Sequence, residues 1–124
     1  MRDNKPIRSF VDLDVFQLAY QASLELHKLT KSFPADERFG LVDQMRRCSK
    51  SICANLAEGF GKQSHSKPEF RRFISMSIGS ADEMTVWIMY SKDLEYINQN
   101  DFDRYKEVYS RIARMLTSLY KHWS

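Results

Sequence analysis

The stretch LVDQMRRCSKSICANLAEGFGK, residues 41 to 62, is the one on which the architecture turns. Leu41, Met45, Cys48, Ile52 and Leu56 step by four and three, the spacing of a single apolar helix face. The tail of this stretch, NLAEGFGK, invites a phosphate-loop reading. A P-loop needs a strand before it, a helix after it and the pattern G-x-x-x-x-G-K-[ST]. Here a helix precedes, position 56 is Leu, and Gln63 follows Lys62, so the nucleotide reading fails. Gly59 and Gly61 are instead expected to end the helix through a left-handed cap.

Three more periodic segments lie on either side. Upstream, Val15, Ala19, Ala22, Leu26 and Leu29 form a seam that Phe33-Pro34 stops, and residues 1–11 read as an irregular arm. Asp36 and Glu37 suit the first turn of the second helix. Downstream, Ser66-Lys67-Pro68-Glu69 reads as a capping box with proline in the first turn, followed by Phe70, Ile74, Ser77, Ala81, Met84 and Ile88. After the polar NQND at 98–101, Tyr105, Tyr109, Ile112, Leu116 and Leu119 make the fourth stripe. Connections this short make neighbours antiparallel, so the chain is expected to be one domain, an all-α up-down-up-down four-helix bundle.

Two helices carry more apolar surface than one core needs. Phe16 and Tyr20 on the first helix, and Phe73, Met76, Trp87 and Tyr90 on the third, form second stripes about 100° around from the core rows. Surplus apolar surface of this kind marks an interface, and a homo-oligomeric ring is expected.

On the second helix Gln44, Arg47, Ser51, Asn55 and Glu58 fall in a column beside the core stripe, and Arg72, Ser80 and Glu83 line one side of the third. Antiparallel pairing would set Arg47 against Glu83 and Glu58 against Arg72 in a partly buried structural seam. Each carboxylate would then be held ionised by a cation, which argues against acid–base chemistry.

The 124 residues carry a net charge of +3. Residues 44–75 hold seven basic groups against two acids, Glu58 and Glu69, for +5, leaving the remainder at −2. A polyanion would be drawn to the middle of the chain. Arg46, Lys50, Lys62 and Arg71 are the candidate contacts, with Arg46 and Lys50 expected to face solvent. Cys48 and Cys53 project about 140° apart on one helix, a poor geometry for a disulfide, and read as reduced thiols. His27, His65 and His122 are scattered, and no catalytic or metal-binding motif is present, so no metal, cofactor or catalytic residue is expected. Without an apolar run long enough to span a bilayer, the protein is expected to be cytoplasmic, with no membrane contact.

The ordered set FP at 33–34, FGL at 39–41, Gln44, RR at 46–47, SICANLAEG at 51–59, EFRRF at 69–73 and GSADE at 79–83 resembles the bacterial four-helix bundle proteins encoded in intervening sequences of large-subunit ribosomal RNA genes. The resemblance runs over most of the chain and implies a small homopentamer. It also implies similarity to the accessory variability protein of diversity-generating retroelements, a basic pentamer that binds nucleic acid and a reverse transcriptase. The family's recurring positions fall on Gln44, Arg47, Ser51, Asn55, Glu58, Gly59, Gly79, Ser80 and Glu83. Cys53 stands where proline is frequent and Cys48 where alanine is usual. Two non-enzymatic functions follow: binding of RNA or DNA through the basic surface, or a scaffold for a partner protein such as a polymerase or reverse transcriptase.

Overall fold

The computed structural model describes residues 6–62 and 66–123. Four long helices run in order, α1 Asp14–Leu29, α2 Leu41–Phe60, α3 Lys67–Asp93 and α4 Gln99–His122, with no strand among the described residues. Each helix packs on its two sequence neighbours and α1 closes on α4, so the four form a square. Every adjacent pair is antiparallel. Ser91 meets Met45 at one end of the α2–α3 seam and Gly59 meets Phe73 at the other. Glu25 bonds Arg104 across α1–α4, and the Phe70 and Trp123 rings stand 4.9 Å apart across α3–α4. This is the up-down-up-down bundle.

The helix ends follow local chemistry. Phe33, the residue before Pro34, is extended at ψ 155° and breaks the chain after a 3-10 turn at Thr30–Ser32. Asp36 and Glu37 lie in a separate 3-10 turn, Ala35–Glu37, rather than in the first turn of α2. Glu37 still serves that helix, because its carboxylate accepts from the Leu41 amide at 3.2 Å and from the Tyr96 hydroxyl at 2.8 Å. At α3 the Ser66 hydroxyl accepts from the Glu69 amide at 3.2 Å, half of the expected capping box; the Glu69 carboxylate turns to Arg72 instead. In the described part of the N-terminal arm, Ser9 and Asp12 close a capping box on a 3-10 turn at Phe10–Asp12, where no regular element was expected. Residues 1–5, and the turn at 63–65 with His65, lie outside the described residues.

The glycines of NLAEGFGK do not act as left-handed caps. α2 runs through Gly59 to Phe60, Gly61 has φ −63°, and no described glycine has a positive φ. Gly59 is buried against α3, where a Cβ would lie 2.5 Å from the Cβ of Phe73. What this glycine provides is the closeness of two helices.

The core is the set of periodic residues. Leu26, Met45, Ile52, Leu56, Phe70, Ile74, Met84, Ile88, Ile112 and Leu116 are all essentially inaccessible. Tyr109 joins them, and its hydroxyl is buried with no hydrogen-bond partner among the described residues. Phe16 and Phe73 are buried too, so these two residues of the expected second stripes are committed within the protomer.

Candidate functional site

Two surfaces hold most of the residues singled out from the sequence. The first is the shoulder shared by α2 and α3. At its centre the hydroxyls of Ser51 and Ser80 meet at 2.7 Å, Asn55 Nδ2 donates to the Ser51 carbonyl at 2.8 Å, and Cys48 Sγ donates to the Ser80 carbonyl at 3.1 Å. One layer deeper, Ser77 Oγ donates to the Ile52 carbonyl at 3.0 Å. Small hydroxyls facing each other across the seam satisfy polar groups without forcing the helices apart.

The charged ends of the column behave otherwise. The expected pairs Arg47–Glu83 and Glu58–Arg72 do not form, and Gln44, Arg47, Glu58, Arg72 and Glu83 are exposed. Arg47 bonds Asp43 at 3.1 Å and Arg72 bonds Glu69 at 2.7 Å, each one helical turn away. A partner one turn away on the same helix is reached at lower cost in side-chain entropy than one across the seam. The Arg72 hydrogen bond holds the Glu69 carboxyl below its ordinary value. Glu58 contributes to the field at Arg72 only as a lesser neighbour.

Beside this column the outer row of α3 is partly apolar. Met76, Tyr90 and Leu94 are about half exposed, Trp87 is half-buried, and at Gly79 nothing lies within 4 Å of where a Cβ would stand. On α1, Tyr20 is 45% exposed and stacks on Phe16 at 5.7 Å.

The second surface is the corner between the end of α1 and the start of α2. Arg46, expected to face solvent, is half-buried there. Its Nε donates to Thr30 Oγ1 at 3.0 Å and its Nη2 to the His27 carbonyl at 3.1 Å, so it ties α2 to the C-terminal end of α1. The assignments of the adjacent arginines are therefore reversed: Arg47 is the exposed one, with 77% of its side chain accessible. Val42, Ser49 and Cys53 carried the missed signal: at the same four-and-three spacing as Arg46 they form a second row that is largely buried, which brings Arg46 to the edge of the core. Arg71 is likewise not free. Its guanidinium lies 4.4 Å from the centre of the Tyr120 ring and its Nε is buried. Lys50 is exposed as expected, and Lys62 is exposed with its ammonium 5.9 Å from the centre of the Phe73 ring.

A hollow of about 300 Å³ opens at this corner, lined by Thr30, Lys31, Phe33, Arg38, Val42 and Arg46 among others. The imidazole of His27 is held below its usual protonation range, chiefly by Arg46, then by partial burial, then by Lys50 and Lys31. Lys31, Arg38 and Phe39 were not among the candidate contacts, because they lie outside the apolar stripes; Phe39 entered the sequence reading only as part of the FGL motif.

Both cysteines are free thiols. Burial, with Glu83 adding to it, pushes Cys48 from an ordinary 9.0 up to about 12, and burial alone pushes Cys53 up to about 11. Native protein at pH 8 is expected to react with a thiol reagent far more slowly than urea-unfolded protein; equal rates would show that the thiols are accessible. The raised values also stabilise the fold below about pH 9, a contribution lost as the pH rises toward 11 to 12. Among the described residues no three His, Cys, Asp or Glu side chains are grouped to hold a metal, and no helix is long and apolar enough to cross a membrane.

An antiparallel four-helix bundle with hydroxyl-bridged α2 and α3 defines the class of protein. The family model for the 23S rRNA-intervening sequence protein matches residues 11–118, and the chain belongs to that family. A solved structure from Bacteroides thetaiotaomicron, described as a protein with unknown function from the S23 ribosomal protein family, is similar in fold at a TM-score of 0.76 and 22% identity, covering 86% of this chain and 95% of that one. Comparison with curated proteins returned no match.

Proposed function

We propose that this chain is a non-enzymatic homo-oligomer, a pentamer as the resemblance implies, that binds RNA or DNA through a basic surface. The observation carrying the assembly is Gly79. A glycine inside a helix costs about 1 kcal/mol relative to alanine, and the protomer makes no steric use of this one, because nothing lies within 4 Å of its missing Cβ. Close approach by a helix of a second copy would use it, with half-exposed Met76 and Val86 one and two turns away, and Tyr90 further along the helix, as apolar surface for that contact. Repeating a weak basic patch around a ring gives nucleic-acid binding the benefit of avidity.

Light scattering on a sizing column is expected to give a mass several times 14.7 kDa. Gly79→Leu, which meets open space in the protomer, should lower that mass while leaving helix content intact. A monodisperse wild-type monomer at micromolar concentration would sink the assembly. For binding, retention of RNA or DNA should fall steeply with salt. Lack of retention at low salt, with specific recovery of a protein partner, would favour the scaffold.

A further inference from the structure

We infer that the corner between α1 and α2 seats a single strand of RNA or DNA, with a backbone phosphate in the cation-lined hollow and a base against Phe39. This rests on the nucleic-acid reading above and specifies where and how it is met.

Four cations gather at this corner. Lys31, Arg38 and Arg46 line the hollow, and Lys50 sits close enough for its charge, like those of Arg46 and Lys31, to be felt at His27. Among the described residues none of the four is within ion-pair distance of a carboxylate. The acids nearest in sequence make no direct pair with them: Glu37 accepts from Tyr96 and Leu41, Asp43 pairs with Arg47, and Asp36 is exposed on the intervening turn. Arg46 is pre-oriented. Two of its five N–H groups are spent on Thr30 and His27, which fixes the guanidinium plane and leaves the others for an oxygen-rich anion. The lowered protonation of His27 reflects the same positive field.

Phe39 makes the site more than an anion pocket. It is 85% exposed, the most exposed large apolar side chain of the described residues, and therefore has almost no packing role in the protomer. The Arg38 guanidinium stands 5.2 Å from its ring centroid, so the ring adjoins one of the cations that line the hollow. An aromatic face beside phosphate-binding cations is the arrangement that holds an unstacked base. A duplex, with its bases stacked inside, could use the cations but not the ring. A second copy seated here would have to cover four unpaired cations, whereas a nucleic-acid strand supplies the charge they lack.

The test is fluorescence anisotropy at low salt with a labelled single-stranded oligonucleotide and the duplex of the same sequence. Phe39→Ala is expected to weaken single-strand binding about tenfold and to leave duplex binding unchanged. Lys31→Gln with Arg38→Gln should weaken both and flatten the salt dependence. All three residues are exposed, so mass and melting should not move. If wild type binds and these variants bind equally well, the inference falls while the nucleic-acid function stands. If wild type binds neither probe, the function fails and the inference with it. A drop in mass in Phe39→Ala would identify the ring as a contact between copies and would also overturn the inference.

Discussion

Gly59→Ala is expected to destabilise the protein by about 1–2 kcal/mol, although alanine is the better helix former. The propensity gain is about 1 kcal/mol. Against it stands a Cβ 2.5 Å from the Cβ of Phe73 and 3.1 Å from a ring carbon of Phe70. The near atom is a Cβ, so no rotamer of Phe73 relieves the contact, and the backbones of α2 and α3 must separate. Overpacking of this kind costs typically about 1–3 kcal/mol, and a loosened seam also weakens the Ser51–Ser80 and Ser77–Ile52 bridges nearby. Gly59→Val should be worse still. Urea denaturation gives the measurement, and a midpoint for Gly59→Ala at or above that of wild type would show that the helices separate without cost.

The adjacent arginines should differ sharply in their effect on stability. Arg46→Met keeps the aliphatic stem but removes the donors to Thr30 and the His27 carbonyl, in a partly buried setting. Hydrogen bonds from a charged donor are worth about 1.5–3 kcal/mol, and a loss toward the lower end is expected at this degree of exposure. Arg47→Met removes only an exposed ion pair with Asp43, for an effect of about 0–1 kcal/mol. Chemical denaturation of the two variants decides the matter, and the reverse order would mean that Arg46 is not an anchor. His27 gives a second readout. Because Arg46 is the main cause of its lowered protonation, Arg46→Met should move the NMR titration of the imidazole upward. The sign for stability follows: the depressed value stabilises the fold above about pH 6.5, and this is lost as pH falls through the folded value, so the variant should show a weaker acid dependence.

The sequence by itself determined the bundle. The three-and-four spacing of Leu41, Met45, Cys48, Ile52 and Leu56, and of its three counterparts, marks one buried face per helix, and short polar connections leave antiparallel packing as the way to bury all four. It also placed Ser51 beside the core stripe of α2 and Ser80 on the matching side of α3, although the pairs it assigned there were Arg47–Glu83 and Glu58–Arg72 and the hydroxyl contact appears only in the structure. Tertiary structure alone decided everything that depends on the width of a helix's buried sector. Periodicity locates the centre of an apolar face but not its edges, so it could not say that α1 would cover Arg46 or that α4 would take up Arg71. Nor could it choose among ionic partners at similar distance, where nearby Asp43 and Glu69 held the arginines assigned to Glu83 and Glu58. Gly59 shows the same division. Its place near the end of α2 was legible, but its reason is a distance between two backbones, and such a distance exists only once both helices are in place.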